Sequence, residues 1–70
     1  MSAATGITVN GKPAQVEEGS TLVGLAETLG LPDRGVAVAL DGEIVPRSQW
    51  AVTLITEGSA VEVVSIAAGG

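Results

Sequence analysis

Residues 17–32, EEGSTLVGLAETLGLP, contain the pattern that decides the fold. The apolar residues recur at intervals of three and four, which places one set on a single face of a helix: Leu22, Leu25, Ala26 and Leu29. Ser20 or Thr21 can cap the start of this helix. Gly30 and the Pro32 beyond it form a stop signal, with Leu31 placed to fold back on the last turn. The pattern predicts one amphipathic helix.

A glycine interrupts this helix at Gly24. Glycine in a helix interior costs about 1 kcal/mol relative to alanine. We therefore expect the helix to depend on packing against a sheet rather than on its own propensity.

Two tight turns flank the helix in the sequence. Asn10-Gly11 lies within the alternating run ITVNGKPAQV, and Asp41-Gly42 follows the apolar run Val36–Leu40. Residues in both turns tolerate positive φ, and these dipeptides between strand-like runs are strong signals of a β-hairpin. We expect one hairpin before the helix and one after it.

The remainder of the chain predicts an irregular passage and then a strand. Residues 46–59, PRSQWAVTLITEGS, indicate a turn at Pro46, a short extended passage through Leu54 and Ile55, and a second turn at residues 57–59. Residues 60–66 are rich in Val and Ile, which favour strands.

The element order β, β, α, β, β, β predicts an α+β fold. A hairpin, a crossing helix and further strands suit a ubiquitin-like β-grasp, with a mixed sheet of about five strands and one main helix packed on one face. The last strand would then lie beside the first, in the middle of the sheet. We expect residues 1–70 to form a single domain with a flexible C-terminal tail at residues 67–70.

The last predicted strand has two different faces. Val61 and Val63 share one face, while Glu62, Val64 and Ile66 share the other. A glutamate is costly in a small core, so the face that carries Glu62 is predicted to point outward. Val64 and Ile66 would then form an exposed apolar strip beside the tail, which is either a docking surface or an ordinary pair of exposed aliphatic residues.

The composition excludes several classes of function. The 70 residues contain no Cys and no His, so disulfides, thiolate metal sites and the usual catalytic bases and nucleophiles are missing. Three basic and eight acidic residues give a net charge of −5, which argues against nucleic-acid binding. The acidity suits a partner with a basic surface or simply supports solubility. The sequence therefore disfavours an enzyme.

The first ten residues, MSAATGITVN, have neither a basic segment nor a long apolar stretch. They match neither a secretory signal nor a membrane anchor. The expected location is the cytoplasm.

The chain ends in four small residues: Ala67, Ala68, Gly69 and Gly70. One interpretation is an ordinary terminus, because chain ends are usually poorly ordered and glycine is conformationally permissive. The functional interpretation is a narrow segment that enters a channel in another protein and presents the Gly70 carboxylate as the reactive group. A carboxylate needs activation before it can react, and the sequence has no phosphate-binding loop of the type G-x-x-x-x-G-K-[ST].

Over essentially its whole length the chain resembles the ThiS family, the sulfur carriers of thiamine biosynthesis. The resemblance rests on VNG in the first hairpin, GSTLVGLAETLG around the helix, VAVALDGEIVPRSQW in the middle and the Gly-Gly end, with IVPRSQW the most informative part. One departure is Ser59, where the family usually has an acidic residue after the glycine of the last turn.

The resemblance implies a mechanism for Gly70. An E1-like adenylyltransferase of the ThiF type would adenylate the Gly70 carboxylate with ATP and Mg²⁺, and a sulfur-relay protein would supply the sulfur for a thiocarboxylate. Thiazole synthase, of the ThiG type, would receive that sulfur. Gly69, Ala68 and Ala67 would give clearance. The chain itself would bind no cofactor or metal, and it would act as a co-substrate rather than as an enzyme.

Four residues are candidates for partner binding: Glu62, Val64, Ile66 and Arg47. For Arg47 the alternative is a structural role, in which it pairs with a carboxylate or stacks on an aromatic ring, and the lone Trp50 would cover the edge of the core.

Three other functions share parts of this pattern. The small subunit of molybdopterin synthase uses similar chemistry, but that family tends to carry a bulky aromatic residue and prolines before its final glycines, which VVSIAAGG lacks. A ubiquitin-like modifier would join the same tail to lysines of target proteins. A plain interaction domain would have an inert tail.

Overall fold

The computed structural model describes residues 3–32 and 34–66. Within them the chain forms five strands, one α-helix and one 3-10 helix, which are in order β1 (Ala4–Val9), β2 (Lys12–Glu17), α1 (Leu22–Leu29), β3 (Val36–Leu40), β4 (Glu43–Val45), the 3-10 helix (Arg47–Val52) and β5 (Ala60–Ser65). The predicted α+β class, with a mixed sheet and one main helix, is confirmed.

The five strands form one sheet in the order β2-β1-β5-β3-β4. β1 and β5 are parallel, and the other neighbouring strands are antiparallel. The prediction that the last strand lies beside the first, in the middle of the sheet, is confirmed. Only a crossover connection can join parallel neighbours, and α1 lies on that connection.

Both predicted hairpins form, with turns of the same conformation. Asn10 and Asp41 each have a φ of 52°, and the glycines that follow them have φ values of 81° and 88°. Positive φ at both central residues is the geometry that matches the twist of the flanking strands.

Helix α1 has the predicted caps. Of the two candidate N-caps, Thr21 fills the role, since its hydroxyl accepts a hydrogen bond from the Gly24 N–H at 3.4 Å. At the other end Gly30 adopts the left-handed conformation, and the N–H groups of Gly30 and Leu31 donate to the carbonyls of Glu27 and Ala26. This pair of bonds satisfies carbonyl groups that the helix end would otherwise leave unpaired.

The core lies between α1 and one face of the sheet. Its buried residues come from the sheet, the helix and the loop before β5: Ile7, Leu22, Leu25, Ala26, Val38, Trp50, Ile55 and Val61. Leu29, which the helical pattern places on the same face as Leu22 and Leu25, is 43% exposed. It occupies the last helical turn, and Leu31, which folds back there, packs against the core in its place.

The segment predicted to be irregular contains the 3-10 helix. The N–H of Gln49 donates to the carbonyl of Pro46 at 2.8 Å, a bond between residues three apart. Trp50 lies on this helix and is 2% exposed, so it is part of the core rather than a cover at its edge. Such short 3-10 turns lack the repeating apolar pattern that identifies longer helices, and the sequence therefore did not predict this one.

Replacement of Gly24 by alanine is expected to stabilise the fold. A Cβ atom at this position would meet only the Thr21 hydroxyl oxygen, at an ordinary contact distance of 3.8 Å. The gain expected from Gly24→Ala is about 0.4 to 1 kcal/mol in the free energy of unfolding, because alanine restricts the unfolded chain. Urea unfolding followed by Trp50 fluorescence measures it.

Gly30→Ala is the matched control, because Gly30 has a φ of 71°. An alanine in the left-handed region costs about 1 to 2 kcal/mol. A loss of stability in Gly24→Ala as large as that in Gly30→Ala would contradict the prediction.

Candidate functional site

The predicted tail, Ala67, Ala68, Gly69 and Gly70, lies outside the described residues. The structure defines the strand that leads to it, which is β5 and the residue that follows, Ile66. The candidate functional site therefore comprises the base of the tail and the surface beside it.

β5 is paired with β3 from Val61 to Ser65. The register pairs Leu40 with Val61 at one end and Val36 with Ser65 at the other. The Ile66 N–H then donates to the Gly35 carbonyl at 2.7 Å, which continues the ladder by one residue. The main chain is thus fixed on this side as far as the last described residue.

The side chains of β5 alternate between the core and the outer face of the sheet. Val61 is 1% exposed and Val63 is half-buried. Glu62 is exposed, and Val64 and Ile66 are 55% and 54% exposed. The structure places these three residues outward, as the alternation predicts, while their role as docking residues stays a prediction.

An apolar patch covers the outer face around Val64 and Ile66. The register places Ala37 directly opposite Val64, and it places Ala39 between Glu62 on β5 and Ile44 on β4. Directly opposite residues share a face, so Ile44 points outward too, and it is 65% exposed. We call Ala37, Ile44, Val64 and Ile66 the outer apolar patch.

The sequence analysis missed Ile44. Its strand, β4, has only three residues, Glu43–Val45, and this length is too short for an alternating pattern to be recognised. The one feature of the sequence that could have indicated an outward-facing Ile44 was its position between a charged residue and a valine, just after a predicted turn.

Two charged residues among those that the structure describes lie near the base of the tail. Glu62 is the acidic side chain of β5 on the outer face, and Arg34 is exposed next to Gly35, the residue that pairs with Ile66. The sequence analysis did not single out Arg34. With only three basic residues in the chain, an arginine beside the base of the tail is a notable local charge.

Arg47 makes contacts within the chain. This structural role is the one that the sequence allowed as the alternative to partner binding. Its guanidinium lies 4.3 Å from the centroid of the Trp50 ring and donates a hydrogen bond to the Pro32 carbonyl at 3.0 Å. The Trp50 indole N–H in turn donates to the Val45 carbonyl at 2.8 Å. These contacts tie the 3-10 helix to β4 and to the end of the helix region.

The turn before β5 shows what Ser59 does. Its side chain is 2% exposed, and its hydroxyl oxygen accepts a hydrogen bond from the Thr56 N–H at 3.2 Å. The preceding residue in the turn, Gly58, donates its N–H to the Gly6 carbonyl, and the Glu57 carboxylate accepts a hydrogen bond from the Gly6 N–H. Ser59 therefore closes a turn at the end of β5 that is remote from the tail.

The sequence contains neither His nor Cys. Within residues 3–32 and 34–66, no group of three or more potential ligands could bind a metal ion. In the same residues no helix has the length and apolar character needed to span a bilayer. What the geometry offers is a firmly held strand that leads to a small-residue tail, with an apolar surface beside it.

Comparison with known proteins identifies relatives over almost the whole chain. The model of the ThiS family matches residues 7–70. The sulfur carrier protein ThiS of Escherichia coli (strain K12) is 34% identical over 64 residues, which cover 91% of this chain and 97% of that protein. The crystal structure of the thiamine biosynthesis protein ThiS from Geobacter metallireducens superposes with a TM-score of 0.82 at 33% identity, covering 94% of this chain and 100% of that one.

Two thiazole synthases contain a segment similar to this chain. Those of Paramagnetospirillum magneticum and Magnetococcus marinus are 33% and 36% identical to it over 64 residues. In each case the match covers 91% of this chain and 20% of the thiazole synthase. The chain therefore corresponds to about one fifth of those longer proteins.

Arg47→Met is expected to destabilise the fold. Methionine keeps an apolar stem but loses both the stacking on Trp50 and the hydrogen bond to Pro32, which together contribute about 1 kcal/mol. Urea unfolding measures the difference. Arg34→Met removes the same charge from another exposed arginine and serves as the control. Equal stabilities of the two variants would show that the contacts of Arg47 do not support the fold.

Proposed function

The chain belongs to the ThiS family, the sulfur carriers of thiamine biosynthesis, and we propose that it carries sulfur on the C-terminal carboxyl group of Gly70. The observation that carries this proposal is the family match, which extends through residue 70. The geometry supports it, because β5 is fixed at the centre of the sheet and leads directly to the four small residues that precede the carboxylate.

The proposed chemistry begins with activation of the carboxylate. An ionised carboxylate is a poor electrophile at neutral pH. One of its oxygens attacks the α-phosphorus of ATP, so that an acyl-adenylate forms and pyrophosphate leaves. A persulfide sulfur of a relay protein then attacks the carbonyl carbon, the bond to AMP breaks, AMP leaves with the electron pair, and an acyl disulfide joins the two proteins. A thiol reductant then cleaves the S–S bond of this acyl disulfide by two-electron reduction, which releases the relay protein as its thiol. Gly70 ends as a thiocarboxylate.

The catalytic groups for these steps belong to partners. The chain has neither His nor Cys and no phosphate-binding loop, so ATP and Mg²⁺ would be bound by an E1-like adenylyltransferase of the ThiF type. The chain is then a protein co-substrate. The proposal also places it in the cytoplasm, because the activation consumes ATP.

The tail would reach into the partner's active site. Gly69 lacks a Cβ atom, and Ala67 and Ala68 have the smallest side chains after glycine. Such a segment fits a narrow channel and leaves the carboxylate open to attack. We therefore propose residues 67–70 as the part of the single domain that enters the partner.

Thiazole synthase, of the ThiG type, is the proposed acceptor of the sulfur. Two relatives described as thiazole synthases include a segment similar to this chain, which places a carrier-like segment and a thiazole synthase in one polypeptide. This association supports transfer of sulfur from the thiocarboxylate of Gly70 to that class of enzyme.

The outer apolar patch is the proposed docking surface for these partners. It is exposed and lies beside the base of the tail, and its residues lie on three paired strands or, for Ile66, directly after one, where the main chain is hydrogen-bonded to Gly35. Contiguous exposed apolar surface often marks protein contacts. Glu62 would contribute charge at its edge. Arg47 is the weaker candidate, because its guanidinium already contacts Trp50 and Pro32.

Intact mass spectrometry tests the sulfur-carrier chemistry. The chain is incubated with ATP, Mg²⁺, a sulfur source, the relay protein and the E1-like enzyme of its own organism. We expect a mass gain equal to one sulfur replacing one oxygen, located on the C-terminal peptide. A variant that lacks Gly70 should fold normally and show no gain. An unchanged mass with an enzyme that activates another carrier would overturn the proposal, and an isopeptide bond to lysine would indicate a protein modifier.

Val64→Asp tests the docking surface. Loss of an apolar contact worth about 1.4 kcal/mol weakens binding roughly ten-fold, so KM for the carrier should rise about ten-fold in ATP–pyrophosphate exchange with the E1-like enzyme. Val52→Asp is the matched control, because Val52 is 72% exposed on the 3-10 helix and the substitution adds the same charge. Equal values of KM for the two variants would remove the patch from the proposed interface.

A further inference from the structure

The two hairpin turns bind β5 through the same pair of groups. The Asn10 N–H donates to the Val61 carbonyl at 2.8 Å, and its side-chain oxygen accepts the Val63 N–H at 2.7 Å. The Asp41 N–H donates to the Ala60 carbonyl at 2.8 Å, and its carboxylate accepts the Ala60 N–H at 2.8 Å. Each turn residue thus offers β5 one main-chain donor and one side-chain acceptor.

These two residues hold different parts of β5. Asp41 holds Ala60, where the strand begins, whereas Asn10 holds Val63, in the half that leads to the tail. On the β1 side the register contains only two pairs, Thr8 with Ala60 and Val9 with Val61, because β1 ends at Val9.

Asn10 therefore extends the sheet beyond the end of β1. Its side-chain oxygen accepts a bond from Val63, as the carbonyl of a further β1 residue would in a longer strand. Among the described residues, the bond to Asn10 is the last hydrogen bond on this edge of β5 before Val64 and Ile66, while the opposite edge is paired with β3 and Gly35.

We infer that Asn10 is a positioning residue for the carrier's tail. By holding the Val63 N–H, its carboxamide fixes β5 just before Val64 and the residue that follows the strand, Ile66. This inference rests on the proposed function of Gly70 and deepens it. It predicts a role in partner docking for Asn10 and none for Asp41.

The role requires two properties that asparagine combines. Position 10 needs a residue that accepts a φ of 52°, and it needs an acceptor on a short side chain. Glycine meets the first requirement alone, and aspartate meets both. The substitutions Asn10→Gly and Asn10→Asp therefore separate the turn from the acceptor.

The experiment combines amide hydrogen exchange with ATP–pyrophosphate exchange by the E1-like enzyme. In Asn10→Gly we expect the Val63 N–H to exchange about ten-fold faster, since it has lost its acceptor. KM for the carrier should rise about three- to ten-fold with kcat changed by less than about two-fold, because the loosened strand weakens docking and leaves the chemistry intact. In Asn10→Asp, the exchange rate of the Val63 N–H and the KM for the carrier should both return to those of the wild-type chain.

Asp41→Gly is the matched control, because it removes the equivalent acceptor at the far end of the same strand. It should speed exchange at Ala60 and leave KM unchanged. Unchanged exchange at Val63 in Asn10→Gly, or an equal rise in KM in both glycine variants, would overturn the inference. If the wild-type chain is not adenylated, the proposed function is wrong and the positioning role is overturned with it. If the wild-type chain is adenylated but Asn10→Gly leaves its KM unchanged, only the positioning role is overturned.

Discussion

The parallel pairing of the first strand with the last is the constraint on which the rest of the structure depends. Parallel neighbours cannot be joined by a tight turn, so the chain must cross over between β1 and β5, and α1 lies on that crossover. The crossover brings the apolar face of α1 onto the sheet, where Val61, 1% exposed, packs with the helix residues in one cluster. The centre of the sheet and the centre of the core are therefore built around the same strand, and that strand leads to the tail.

Much of this arrangement could be predicted from local signals in the sequence. Asn10 and Asp41, each followed by glycine, identify both hairpins because few residues accept positive φ, and Gly30 identifies the end of α1 for the same reason. The alternation along β5 predicts which side chains face outward, since a glutamate in a small core is costly. These predictions succeeded because each depends on the conformation or polarity of a few adjacent residues.

What the sequence could not predict depends on contacts between distant segments. Leu29 fits the helical pattern but lies in the last turn, where Leu31 covers the core instead. Ile44 joins the outer apolar patch only because β4 pairs with β3. The second bond of Asn10 reaches a residue 53 positions away. The tail, residues 67–70, lies outside the described residues, so its predicted role rests on the sequence and on the family.

The division of the sheet into two faces explains how so small a chain serves as a carrier without catalytic side chains. α1 and Trp50 cover one face and supply the core, which leaves the other face free for a partner without cost to the fold. A partner that grips Val64 and Ile66 binds side chains whose main chain is already fixed, so little conformational entropy is lost on docking. The four residues that follow, 67–70, are alanine and glycine, which have almost no side-chain entropy to lose. A rigid strand followed by small residues thus suits the proposed role, in which residues 67–70 would enter the active site of a partner with little loss of side-chain entropy.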